Sequence, residues 1–144
     1  MEIYFKALNI SEILASWYEK IGSENCGAFI TFTGIVRNEN GIDGLSFDIY
    51  EPLLRSWFDK WQEKAKKMDA KLFFAHAKGD VEVYKCSYLS AVLSPKRKVA
   101  LKLIDEFVED FKANAPIWKY DIKGNERIFA SDRSQKLKGA GILS

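Results

Sequence analysis

FKANAPIWKYD, from Phe111 to Asp121, is where a helix has to give way to a strand. The residue before a proline is pushed out of the helical region, so Ala115 is expected to be extended and Pro116 to end the helix leading in. Beyond it, Ile117, Trp118 and Tyr120 are β-branched or aromatic and suit a pleated, half-buried surface. Lys112 falls in the last helical turn and Lys119 in the extended part, so a fold-back at Pro116 can turn both ammonium groups towards one pocket. A plainer reading stands beside it: Lys112 complements the negative end of the helix dipole and Lys119 is a solvated strand residue.

Working back towards the amino terminus, Val99, Ala100, Leu103, Ile104, Phe107, Val108 and Phe111 recur on one face of a helix from Lys96 to Lys112. Lys96 and Arg97 stand at its start, where free N–H groups and the positive dipole end already favour an anion. Two cations there oppose the dipole unless an anion sits between them, or unless both extend into water. Lys71–Ala77 (KLFFAHA), Val81–Val83 and Ser87–Leu93 read as strands, with Lys78-Gly79-Asp80 as a turn. His76, the one histidine, closes the first of these and is either a hydrogen-bonded structural residue or a functional one.

Further upstream, Gly27–Arg37 (GAFITFTGIVR) reads as a long strand in which Gly34 marks a bulge or a close backbone approach. Arg37 ends it beside the loop Asn38–Gly44, a position used for surface charges and for ligand-binding residues alike. Leu45–Tyr50 is the expected return strand, and Pro52 opens a second amphipathic helix. A first strand over Glu2–Leu8 and a first helix capped by Asn9 or Ser11 precede these. Past the quoted segment, Lys123-Gly124-Asn125 is a hairpin turn before a closing strand, Glu126–Ala130.

With 144 residues, 47% of them hydrophobic, the chain is expected to form one domain over residues 1–130. The polar tail, residues 131–144, is expected to be mobile alone and to order against a partner or a second copy. A net charge of +2 excludes a generally polycationic protein. Yet Lys85, Lys96, Arg97, Lys98 and Lys102 occur between Tyr84 and Lys102 with no acidic residue among them, which points to a local anion site. Cys26 and Cys86 lack any CxxC spacing and read as reduced structural thiols. The first ten residues do not read as a signal peptide, and no apolar run approaches a bilayer span, so a cytoplasmic protein is expected.

GAFITFTGIVRNENG, DIY at Asp48–Tyr50, His76 with Gly79, SPKR at Ser94–Arg97 and KANAPIWK at Lys112–Lys119 follow one another in the order found in a known family. Over residues 25 to 130 the chain resembles the large, catalytic subunit of molybdopterin synthase. The resemblance implies an α+β fold of the α/β-hammerhead type, mostly antiparallel, with about three helices. It implies a homodimer that binds two ubiquitin-like small subunits as a heterotetramer. The implied reaction moves sulfur from the small subunit's C-terminal Gly-Gly thiocarboxylate to cyclic pyranopterin monophosphate, forming the dithiolene of molybdopterin. No metal, cofactor, nucleic acid or membrane belongs to it.

Carried over by position, Lys112 and Lys119 match the family's catalytic lysines, and Arg37 and Arg97 its substrate-binding arginines. Lys96 replaces the family's usual histidine, leaving an anion-binding role there but no proton transfer near neutral pH. Ala77 follows His76 where an arginine is expected, so that anion contact is either missing or taken over by Lys78. Lys96, Arg97 and a second lysine crowding a catalytic amine are expected to lower its pKa and free it for proton transfer. Two other classes remain open on the residues: a scaffold that binds the small subunit without turnover, and a nucleotide or single-stranded nucleic-acid module, which the near-neutral charge argues against.

Overall fold

The structure, a computed structural model, describes residues 1–131; the tail beyond lies outside the described residues. Seven strands and three helices follow in the order β1 (Glu2–Phe5), α1 (Ile10–Ile21), β2 (Ala28–Ile35), β3 (Gly44–Ile49), α2 (Glu51–Lys66), β4 (Lys71–Glu82), β5 (Cys86–Ser94), α3 (Arg97–Asn114), β6 (Ile117–Lys123) and β7 (Glu126–Phe129). The strands form one sheet in the order β2-β5-β4-β3-β6-β7, with β1 paired to β4. Every pairing is antiparallel except β1 with β4. The fold is therefore α+β, as expected.

Local chemistry sets the helix limits. The Asn9 side-chain oxygen accepts from the Glu12 N–H at 3.2 Å and caps α1. Proline stands in the first turn of α2, where a missing N–H costs nothing. Helix α3 stops at Asn114, and Ala115 takes φ −64°, ψ 133°, the extended conformation that Pro116 requires.

Two expectations are corrected. Val81–Val83 is no separate strand after a turn: β4 runs unbroken from Lys71 to Glu82. Gly79 instead adopts φ +83° inside it, where the strand passes from pairing with β1 to pairing with β3. A side chain there would also meet the Phe5 ring at 3.0 Å. Nor does β3 return alongside β2, because β5 and β4 lie between them. The segment from Val36 to Asp43 is laced to the β4–β5 turn instead, through Tyr84 N–H to Val36 O at 2.7 Å and Val83 N–H to Asp43 O at 3.1 Å. Gly34 does mark an irregularity, the register of β2 on β5 shifting between Gly34 and Ile35.

Helices α2 and α3 cover one face of the sheet, around an aromatic cluster. Phe74 of β4 lies within 6 Å, ring centre to ring centre, of Trp57, Phe58, Phe107, Tyr88 and Phe111. Burial of such rings dominates the stability of a core this size. The Trp57 and Trp61 indoles both donate to Asp110 Oδ2, at 2.9 and 2.7 Å, and fasten α2 to α3. Cys86 is buried and Cys26 partly so, both as free thiols.

Candidate active site

A cleft of about 640 Å³ opens between the end of β2, the carboxyl-terminal half of α3 and strands β3, β4 and β6. Lys112, Lys119, Arg37 and His76 all line it. The break at Pro116 explains the two lysines. Val108, Phe111 and Lys112 stand at i, i+3 and i+4 on α3, so Lys112 sits at the edge of the buried stripe. After the break, β6 pairs with β3 so that Lys119 lies opposite Phe47, another lining residue. Cross-strand partners share a face, which brings Lys119 out over the same cleft.

Arg37 enters just past β2 and is largely exposed, its Nη2 lying 3.1 Å from Glu39 Oε2. Glu39 lines the cleft as well. An exposed pair of this type is worth little and is easily exchanged for another anion. His76 is buried, 2% exposed. Its Nδ1 is 2.7 Å from the Ala77 carbonyl oxygen. Its ring is surrounded by Phe47, Phe111, Tyr88 and Phe74 at centroid distances of 4.9, 5.6, 6.1 and 6.4 Å. Burial drives its pKa down from 6.5 to about 4; the Ala77 carbonyl opposes the fall and the Lys119 charge adds to it. His76 is thus neutral at physiological pH and is no cationic anion ligand.

The remaining three candidates do not line the cleft of their own chain. Lys78 is exposed on β4, where its charge acts on Asp48. Asp48 is taken by Arg127 at 2.8 Å, whose guanidinium lies 3.6 Å from the Tyr120 ring centre. Lys96 and Arg97 stand at the opposite end of α3 from Lys112. At a rise of 1.5 Å per residue, the span from Lys96 to Lys112 is roughly 24 Å. Within one chain the expected crowding of the catalytic lysines by Lys96 and Arg97 is not made.

The sequence reading missed the aromatic floor, Phe47, Tyr88 and Phe111, and the carboxylate of Glu39. Phe111 was legible as a buried helix position, but its neighbours depend on pairings between distant strands. Tyr88 packs against Phe111 at 4.1 Å, and Gly34 leaves it room, since a Cβ there would meet the Tyr88 Cβ at 3.0 Å. Burial raises the Tyr88 phenol well above its ordinary pKa, and nearby Ser90 offsets only part of the rise. Neither hydroxyl has a well-formed hydrogen bond.

Two lysines, an arginine and a neutral histidine thus meet in a cleft with an aromatic floor. The model of the MoaE protein family matches residues 5–114. The chain belongs to the MoaE family. It is 49% identical over 144 residues to a protein of Helicobacter pylori (strain 26695) named molybdopterin synthase catalytic subunit, covering 100% of this chain and 99% of the relative. The same name is carried by a Dictyostelium discoideum protein that is 27% identical over 114 residues, 72% of this chain and 70% of the relative. Among solved MoaE structures, a chain in the protein–protein complex of subunits 1 and 2 of the Helicobacter pylori molybdopterin-converting factor superposes with a TM-score of 0.90 at 50% identity. It covers 99% of this chain and 98% of that one. A chain of Staphylococcus aureus molybdopterin synthase, 24% identical over 89% of this chain and 94% of that one, shares the fold with a TM-score of 0.76.

Proposed function

We infer that the cleft performs the sulfur-transfer step of molybdopterin synthase, and that this chain is the catalytic subunit working with a ubiquitin-like small subunit. The observation that carries the reading is Lys112 and Lys119, brought from either side of Pro116 onto one cleft with Arg37. The small subunit presents a C-terminal thiocarboxylate. Its sulfur forms a bond to a carbon of cyclic pyranopterin monophosphate, and water then cleaves the acyl–sulfur bond, leaving a carboxylate tail and sulfur on the pterin. Two such deliveries make a dithiolene. Every reactant is anionic, and fixed cations over a water-poor floor hold them and stabilise charge as it develops.

Arg37 is assigned to the phosphate, since a guanidinium bonds two oxygens at once; the incoming phosphate displaces Glu39. Lys119 is assigned to the pterin side and Lys112 to the thiocarboxylate side, as proton carriers. Lys96 and Arg97 cannot serve the cleft of their own chain, so they are assigned to the cleft of a second copy. Supporting this, β2 is a sheet edge whose Phe32 and Ile35 line the cleft yet are exposed. Lys78 is assigned no substrate contact. Among the described residues no helix is long and apolar enough to cross a membrane; the enzyme is assigned to the cytoplasm.

The deciding experiment mixes the chain with thiocarboxylated small subunit and cyclic pyranopterin monophosphate and seeks the dithiolene product by mass spectrometry. A stable complex that leaves the pterin unchanged would replace this reading with that of a non-catalytic scaffold.

A further inference from the structure

His76 has a chemistry that neither a structural core residue nor an anion ligand requires. A carbonyl oxygen can only accept, so the 2.7 Å contact with Ala77 puts the ring proton on Nδ1. In the neutral ring Nε2 is then a bare acceptor. With Nδ1 engaged by the strand, Nε2 is the nitrogen left for a partner in the cleft that His76 lines. Phe47, packed on the imidazole at 4.9 Å, is also the cross-strand partner of Lys119. Lys119 and His76 thus both adjoin Phe47, and the lysine charge acts on the ring.

We propose that His76 is a positioning residue for sulfur transfer: a neutral imidazole, fixed by Ala77 as the Nδ1–H tautomer, whose Nε2 accepts a hydrogen bond from the Lys119 ammonium and holds that side chain over the cleft floor. This role rests on the sulfur-transfer reading for its purpose, though not for its geometry. Neutrality is essential to it, because an imidazolium would have no acceptor and would repel the lysine. The other charged or titratable groups on the cleft are Lys112 from α3, Arg37 and Glu39 beyond β2, and Tyr88 from β5. None of them is an anion buried against the ring that would favour its protonation. The surrounding rings leave His76 only 2% exposed, so little water competes for Nε2.

The chain has one histidine, so its imidazole nitrogens give a single, unambiguous pair of NMR signals. In the full-length protein we expect Nδ1 protonated, Nε2 unprotonated, and no titration between about pH 5 and about pH 8. Lys119→Ala should shift the Nε2 resonance and leave Nδ1 nearly unmoved. A protonated Nε2, a titration near the ordinary histidine pKa, or an Nε2 signal indifferent to Lys119→Ala would overturn the assignment. In single-turnover assays His76→Phe should slow transfer about 10- to 100-fold, the loss expected for a hydrogen bond to a charged group. It should leave the Kd for the small subunit unchanged and displace the limb of the pH–rate profile that reports Lys119. His76→Gln, which can return an acceptor near the same place, should recover much of the rate. Equal losses in the two variants, or none in His76→Phe, would reduce His76 to packing. A wild-type enzyme that makes no dithiolene would defeat the sulfur-transfer reading alone, and the nitrogen spectra would still judge the tautomer.

Discussion

His76 shows how far one side chain's chemistry depends on its neighbours. Its pKa in the folded chain is about 4, against 6.5 for an ordinary histidine. Between those values the unfolded chain binds more protons than the folded one, so stability is full above about pH 6.5 and falls as the pH drops towards 4. The whole span is worth about 3 kcal/mol. Thermal melts of wild type and His76→Phe should therefore diverge in their pH dependence, with wild type losing more Tm between neutral pH and about pH 4. Parallel curves would mean that the ring is not shielded as described. The lysines are to be judged by rate. Lys112→Ala and Lys119→Ala should each lower single-turnover sulfur transfer by about 100-fold or more with unchanged circular dichroism, the range for positioned proton carriers. Near-wild-type turnover in either would remove that residue from the chemistry. Lys112 and Lys119 were both legible from the Pro116 break. The silence of His76 as a cation was not, because the rings that desolvate it come from β3, β5 and α3.

Elements answer to backbone geometry. Gly44 begins β3 where a Cβ would lie 2.4 Å from the Val81 carbonyl oxygen, so Gly44→Ala must push β3 off β4 or tilt it. We expect a loss of about 2 kcal/mol or more in denaturant unfolding, against about 1 kcal/mol or less for Gly124→Ala, whose φ of +59° is strained but whose surroundings are open. Equal effects would show that strand contact at Gly44 relaxes freely. Asp110 is the corresponding joint between helices. Burial works against its charge, yet Asn114, Trp61 and Trp57 donate to it and keep its pKa below the usual carboxylate value. That contribution is present at neutral pH and is lost as the pH falls through the lowered pKa. Asp110→Ala leaves two indole N–H groups without their acceptor and should cost about 1–3 kcal/mol. A cost near zero would mean that water serves the indoles equally well. Helix limits here followed from Asn9, Pro52 and Pro116 in the sequence, whereas strand neighbours did not. Gly79 looked like a turn because glycine serves equally for reversal and for a twist within one strand.

At the scale of the molecule, the separation of Arg97 from Lys119 along α3 becomes an experiment. If a second copy supplies Arg97, inactive Lys119→Ala and inactive Arg97→Ala proteins should complement when mixed and allowed to exchange subunits. Random pairing makes half the dimers mixed, each with one intact cleft of two, so about a quarter of wild-type activity should return. No recovery after proven exchange would confine each cleft to its own chain and leave Arg97 outside the mechanism. Charge distribution also matters more than its sum here. With a net charge of only +2, raised salt should weaken binding of the phosphorylated pterin without a general loss of solubility or folding.

By itself the sequence determined the helices, their ends, the strand–helix alternation, and the presence of two lysines either side of an enforced break. Those features rest on local sterics and on periodic burial, which a chain carries in consecutive residues. Only the tertiary structure decided that β3 lies beyond β5 and β4 from β2, that Phe47 packs on His76 while pairing across the strands with Lys119, and that Lys96 and Arg97 do not line the cleft of their own chain. Such relations are fixed by pairing between residues distant in sequence, whose stabilisation comes from a shared dry interior that no short segment contains.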